Sequence, residues 1–265
     1  MNNEIKSQEL MNNLEIDKMY CESNLDTMAK MPDNFLDIVV TSPPYNIFNT
    51  KAKDRGYDYY EDNKTDKEYI EWTLNIFNSF DRITKKDSVI LYNMSYGTEN
   101  PNLMNLTVSS IIENTNYSLA DIIVWKKKTA IPNSPSKNRL TRICEFIYVF
   151  CRKDELYSFN ANKKIISEKE NTKFYESIDN IISAKNNDES NDLNKATFST
   201  EFVRKLLNIY AKPNSLVYDP FMGTGTTAKA CIIDKHNYIG SELSKKQVDY
   251  ANERIRPYIN QLTIF

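Results

Sequence analysis

Glycine is scarce in this chain, with five among 265 residues. Each glycine therefore marks a place where the backbone has a specific need for it. Histidine is scarcer still. The one present, His236, sits in the polar stretch DKHN and is expected to be a solvated loop residue. A Ser-His-Asp triad and a histidine-built zinc centre both lack parts. Cys21, Cys144, Cys151 and Cys231 are scattered without metal-ligand spacing. They are expected to be ordinary buried or half-buried thiols rather than a disulfide framework or a metal site. No apolar run reaches the roughly 18 residues of a membrane span. The N-terminal stretch MNNEIKSQELMNNLEIDK has no apolar signal core, so a cytoplasmic chain is expected. Positive charge is not in excess either: the net charge is −2. Any contact with nucleic acid must then come from local clusters of cations.

What the sequence has is alternation. Its 40% hydrophobic content suits one sizeable α/β domain with room for a small insertion. FLDIVV (35–40), SVILYN (88–93), SLADIIVW (118–125), CEFIYVFC (144–151), SLVYD (215–219) and NYIGSE (237–242) have strand length and are rich in β-branched and aromatic residues. MYCES (19–23) is a weaker candidate. Helical spacing is found over 67–80, 102–113, 202–210, 226–233 and 245–256. Strands alternating with helices predict a doubly wound α/β sheet. Two stretches break the pattern. Residues 46–64 are polar, aromatic and charged, and residues 152–195 are rich in Asn, Lys, Ser and Glu. The second resembles an insertion. It is longer than the ~12–15 residues usual for a structureless loop, which favours a functional element over a bare surface loop.

Two of the five glycines fall together, in Asp219-Pro220-Phe221-Met222-Gly223-Thr224-Gly225-Thr226-Thr227. This window follows the strand SLVYD and opens a helix. Glycines there permit positive φ and close approach of a ligand at a strand's carboxyl end. Asp219 can accept from an ammonium group. Glu242, at the tip of the next strand, suits a ribose diol. A Walker loop would need a lysine that is missing. A dinucleotide fingerprint with Ala228 in place of its third glycine stays open on this motif alone, as does a plain strand-to-helix turn.

The strand FLDIVV runs into Thr41-Ser42-Pro43-Pro44-Tyr45-Asn46. Consecutive prolines fix φ near −65° and stiffen the loop. They donate no backbone hydrogen bond, so the carbonyls of Ser42 and Pro43, with the Ser42 hydroxyl, form a set of acceptors beside the flat ring of Tyr45. An aromatic amino nitrogen is a poor nucleophile because its lone pair is delocalised. Acceptors on its two N–H groups localise that pair, and preorganised polar groups of this kind are usually the largest catalytic term. A tyrosine ring can stack on a base drawn out of a duplex. The same residues would also make an ordinary rigid turn.

With both motifs in place, the chain resembles the amino-methylating DNA methyltransferases. TSPPYN matches their [DNS]PP[YFW] catalytic motif and DPFMGTGTT their cofactor loop. The order of the two is similar to the β class of that family, over roughly 18–256. The resemblance implies a Rossmann-like, mostly parallel sheet and S-adenosylmethionine as cofactor. It assigns Ser42, Pro43, Pro44 and Tyr45 to catalysis. Thr41, Asp219, Pro220, Phe221, Gly223, Gly225, Thr226, Thr227 and Glu242 would bind the cofactor, joined by Thr197 and Phe198 in the element before the loop. It places target recognition within 152–195. Ser23 stands where many relatives have Asp, and Asn194-Lys195-Ala196 where they often have His-Pro.

The implied chemistry is direct transfer from S-adenosylmethionine to the exocyclic amino nitrogen of a flipped base. Ring-carbon methylation would need a nucleophilic cysteine, commonly after proline, and no cysteine here follows one. SPPY is more typical of N4-cytosine relatives and DPPY of N6-adenine ones, so N4 of cytosine is favoured, with N6 of adenine as the alternative. An RNA methyltransferase and a non-catalytic nucleic-acid binder on the same fold stay open. The expected partner is double-stranded DNA, contacted through Lys126, Lys127, Lys128, Lys137, Arg139 and Arg142. A homodimer is common in the family. No metal and no membrane are expected. The loop 46–64, with three tyrosines and several cations, is expected to act as a lid over the base.

Overall fold

The computed structural model describes residues 14–46, 64–97, 100–129, 137–188 and 197–262. The strands are β1 (Lys18–Tyr20), β2 (Leu36–Thr41), β3 (Thr84–Met94), β4 (Tyr117–Lys127), β5 (Cys144–Arg152), β6 (Ile165–Lys169), β7 (Thr172–Tyr175), β8 (Ile181–Ala184), β9 (Leu216–Asp219) and β10 (Asn237–Ser241). The α-helices are α1 (Asn24–Lys30), α2 (Asp66–Ile83), α3 (Leu103–Asn114), α4 (Thr200–Tyr210), α5 (Thr226–Asp234) and α6 (Lys245–Leu262).

Eight strands form one sheet in the order β1-β10-β9-β2-β3-β5-β4-β8. Neighbours are parallel except where β5 meets β3 and β4. The mostly parallel α/β sheet expected from the sequence is therefore present. Its central strands read as continuous apolar runs because helices cover both faces. Ile38, Val40, Leu91, Val149 and Val217 pack on one side with α4, α5 and α6. Val39, Ile90, Tyr92, Phe150 and Tyr218 pack on the other with α2 and α3.

Helix α2 starts at a capping box. Thr65 accepts from the Glu68 amide and Glu68 accepts from the Thr65 amide, satisfying two otherwise orphaned donors. Its Tyr69, Thr73, Ile76, Phe77 and Phe80 are buried at helical spacing.

Several local expectations are corrected. The weak strand ends at Tyr20, and Ser23 instead caps α1, its hydroxyl accepting from the Asp26 amide at 3.2 Å. His236 is half-buried rather than solvated, and burial lowers its pKa. Cys21 is exposed rather than buried. The last helix runs through Pro257 to Leu262, where the ring of Tyr258 lies under the Lys229 ammonium at 4.9 Å. The stretch 152–195 divides in two. β6 and β7 form a separate antiparallel hairpin, whereas β8 joins the main sheet beside β4 and completes its edge. Among the described residues, no helix is long and apolar enough to cross a membrane and no cluster of three metal-ligating side chains occurs.

Candidate active site

The parallel register brings the two motifs together. Val39 of β2 pairs with Tyr218 of β9, and Gly240 of β10 pairs with Asp219. Thr41, Asp219 and Glu242 thus leave three adjacent strands at one carboxyl edge, the position where open α/β sheets bind ligands. β3 ends at the same edge. Because β5 runs antiparallel, its amino end arrives there too, and Trp125 pairs with Glu145.

The loop after β9 is built around Asp219. Its carboxylate is buried and accepts from the Phe221 amide at 3.0 Å and the Thr227 hydroxyl at 2.6 Å. Burial raises the Asp219 pKa to about 7, against the opposing effect of those bonds and of the nearby Thr41 hydroxyl. Gly223 and Gly225 have φ of 54° and 80°. A Cβ on Gly225 would lie 2.7 Å from the Cβ of Ala251, so this glycine also lets α6 approach. A Cβ on Gly240 would lie 2.3 Å from the Met222 side chain, so the next strand needs a glycine as well. Glu242 accepts from the amides of Gly223 at 3.0 Å and Ser244 at 2.9 Å, and burial raises its pKa. Arg254 of α6 holds the loop from below, donating to the Thr224 carbonyl at 3.0 Å and the Thr226 hydroxyl at 3.1 Å. Pro220 is buried; Thr197 and Phe198 stand just ahead of Ser199, the cap of α4.

The loop after β2 is held from several sides. Pro43 is buried and Pro44 exposed. Tyr69 of α2 donates to the Pro44 carbonyl at 2.8 Å. Tyr69 also contacts Trp72, with ring centroids 5.5 Å apart, and Trp72 contacts Phe221 of the neighbouring loop at 5.4 Å. One helix thereby braces both motifs. Asn46, at φ 51°, uses its amide to pair with the backbone N–H and C=O of Lys64. This pins together the two ends of the expected lid, whose residues 47–63 lie outside the described residues.

Sequence reasoning missed one group. The Tyr45 hydroxyl lies 3.1 Å from the Ser42 hydroxyl, 3.2 Å from Asn93 Oδ1 and 3.1 Å from Glu145 Oε2. Glu145 is paired with Lys127 at 2.5 Å, both mostly buried. Burial and the Glu145 charge hold the Tyr45 pKa well above its usual value, so its phenol stays neutral. An acid inside the otherwise apolar run CEFIYVF was the available signal. Of the cations expected to meet DNA, Lys127 is therefore spent on Glu145, and Lys128 pairs with Glu201 at 2.8 Å. Lys126, Lys137, Arg139 and Arg142 are exposed. Arg142 lies over the Tyr96 ring at 5.1 Å, beside the end of β3.

The chain belongs to the N6/N4 methyltransferase family, described as DNA methylase, whose profile matches residues 36–253. It is an S-adenosylmethionine-dependent amino-methyltransferase acting on DNA. It is 26% identical over 258 residues to the orphan methyltransferase M.BamHII of Bacillus amyloliquefaciens, covering 86% of this chain and 91% of that one. It is 24% identical over 266 residues to the type II methyltransferase M.Cfr9I of Citrobacter freundii, covering 88% and 85%. The fold is similar to that of the PvuII DNA methyltransferase, titled cytosine-N4-specific, with TM-score 0.68 and 17% identity over 92% of this chain and 91% of that one. It is also similar to M1.HpyAVI in complex with SAM, with TM-score 0.57 and 18% identity over 89% and 97%.

The described residues fit the cofactor. The hydroxyl of Thr224 is buried at this edge without a hydrogen-bond partner among the described residues. Beside it sits the buried Asp219 carboxylate, with no cation paired to it among the described residues.

Proposed function

We propose that this protein methylates the exocyclic amino nitrogen of a base flipped out of double-stranded DNA at a specific sequence, and that the base is cytosine, methylated at N4. The observation behind this reading is the adjacency of the SPPY loop and the Asp219 loop at one sheet edge, braced by Tyr69 and Trp72. S-adenosylmethionine supplies an electrophilic methyl group when bound. Asp219 receives its ammonium group, Glu242 its ribose hydroxyls, and the loop from Gly223 to Thr227 its close backbone approach. Thr41, Pro220, Phe221, Thr197 and Phe198 line the same edge.

At the neighbouring loop, Ser42 Oγ and the Pro43 carbonyl accept from the base's amino group. This localises the nitrogen lone pair toward the methyl. Tyr45 supplies a wall for the base, worth about 1–3 kcal/mol of stacking. The nitrogen takes the methyl as its bond to sulfur breaks, S-adenosylhomocysteine is left behind, and the nitrogen then gives up one proton to water. No covalent enzyme intermediate is needed, and the enzyme contributes positioning and electrostatics. Cytosine is favoured because Ser42 leads the PPY motif.

The β6–β7 hairpin supports recognition by the inserted segment. It stands apart from the main sheet and exposes Ile165, Ile166, Phe174 and Tyr175. Lys126, near the carboxyl end of β4, and the exposed Lys137, Arg139 and Arg142 of the connection to β5 would hold phosphates. A homodimer is part of this reading and is checked by light scattering.

The test is mass spectrometry of nucleosides from DNA methylated by the purified protein. N4-methylcytosine is expected. N6-methyladenine would reassign the base and keep the chemistry, and 5-methylcytosine would overturn the reading.

A further inference from the structure

The hydrogen-bond inventory around Tyr45 fixes the direction of its bond with Ser42. A neutral phenol owns one proton. Two of its three partners, Asn93 Oδ1 and the Glu145 carboxylate, can only accept. The Asn93 amide is fixed in this sense because its Nδ2 donates to the Phe146 carbonyl at 3.2 Å. Tyr45 therefore donates toward β3 and β5, with the carboxylate the stronger acceptor. Its remaining neighbour at 3.1 Å, the Ser42 hydroxyl, must then donate to Tyr45. The Ser42 proton then points at Tyr45, and the lone pairs of its oxygen are left for another donor.

We propose that Glu145 is a positioning residue that makes Ser42 a hydrogen-bond acceptor, acting through Tyr45 and held in place by Lys127. The inference rests on the function proposed above, since it concerns how that site treats the substrate amino group. A serine hydroxyl is ambivalent. Left free, it can turn its proton toward a substrate and offer a donor to an amino group that has only donors to give. The carboxylate on β5 removes that freedom without touching the substrate. Lys127 fixes which oxygen of Glu145 faces Tyr45, because Oε1 takes the ammonium at 2.5 Å and Oε2 is left for the phenol.

The substitution Glu145→Gln tests the direction of the chain. Lys127 can only donate, so it draws the new amide's oxygen and turns the NH2 toward Tyr45. The phenol then loses its strongest acceptor and gains a donor, which releases Ser42. The single-turnover rate of methyl transfer should fall on the order of a hundredfold, the scale of losing one directed polar contact. Affinity for S-adenosylmethionine, read by calorimetry, should stay within about twofold, because no cofactor-loop residue changes. Tyr45→Phe cuts the same chain without disturbing the buried pair, and should slow the rate comparably. The double variant should be no slower than either single one, since both remove the same link.

A purely structural role for Glu145 would not survive a second arm. Ser42→Asp supplies an acceptor that needs no polarisation. In the wild-type background it places a second carboxylate against Tyr45 and Glu145 and should be slow. In the Glu145→Gln background it should recover at least about tenfold of the lost rate. Wild-type rates in Glu145→Gln or in Tyr45→Phe would overturn the inference, as would a folded double variant with Ser42→Asp that shows no recovery. A wild-type protein that transfers no methyl to DNA would instead defeat the proposed function.

Discussion

On the proposed reading, in which Asp219 receives the cofactor's ammonium group, cofactor binding depends on pH. The Asp219 carboxyl is buried with no cation paired to it among the described residues, and its pKa is pushed from the ordinary 3.8 to about 7. A carboxyl raised in this way binds its proton more tightly folded than unfolded. It favours the folded state fully below about pH 4, and that contribution is lost as pH rises through about 7. Over that window the free protein loses up to about 4 kcal/mol from this group, by the conversion of about 1.4 kcal/mol per unit. An ammonium group delivered to Asp219 reverses the balance, because it needs the ionised form. About half of the molecules are ionised at pH 7 and about one in a hundred at pH 5, so the affinity for S-adenosylmethionine should drop about fiftyfold between the two. Binding at pH 5 should release about one proton per cofactor, measured by titration calorimetry in two buffers of different ionisation heat. Asp219→Asn should bind weakly at both values and flatten most of the slope. Glu242, also raised by burial, leaves a residual slope of the same sign. An affinity that does not change between pH 5 and pH 7, or the full slope persisting in Asp219→Asn, would refute the reasoning.

Gly225→Val should abolish cofactor binding and also lower the melting temperature. It forces a β-branched residue to φ 80° and drives a Cβ into Ala251, a strain of about 1–3 kcal/mol before any clash is relieved. Unchanged affinity in a folded variant would remove the loop from the site. Lys126→Ala and Arg142→Ala should each weaken DNA binding and reduce the salt slope by about 1, read by fluorescence anisotropy across ionic strengths. An unaltered slope would take these cations away from the phosphates. Exchanging 152–195 for the corresponding segment of a relative should change the sequence methylated, read by sequencing the modified DNA. An active chimera that keeps the original site would exclude this segment from recognition.

The sheet was legible because its central strands are covered on both faces, so β2, β3, β5 and β9 each carry a mostly apolar run. Both motifs were legible as loops at strand ends. Their adjacency was not, since it depends on the β2–β9 pairing of strands far apart in the chain. Strand β8 escaped notice because IISA is short and sits in a polar stretch. Helix α1 is marked chiefly by the Ser23 cap, and Ser23 drew attention instead as a departure from relatives. The Glu145–Lys127 pair was hidden for a different reason. Lys127 looks like a free cation in KKK, and only the antiparallel register of β4 and β5 brings the acid to it.

The central claim is that the SPPY loop acts on the amino group while its neighbour holds the cofactor. Single-turnover transfer of labelled methyl to DNA by Ser42→Ala, compared with wild type and paired with calorimetric cofactor affinity, separates the two tasks. A rate lowered about 10²–10³-fold with cofactor affinity unchanged is expected. A Ser42→Ala protein that transfers at the wild-type rate, or one that is slow only because it no longer binds S-adenosylmethionine, would contradict this claim.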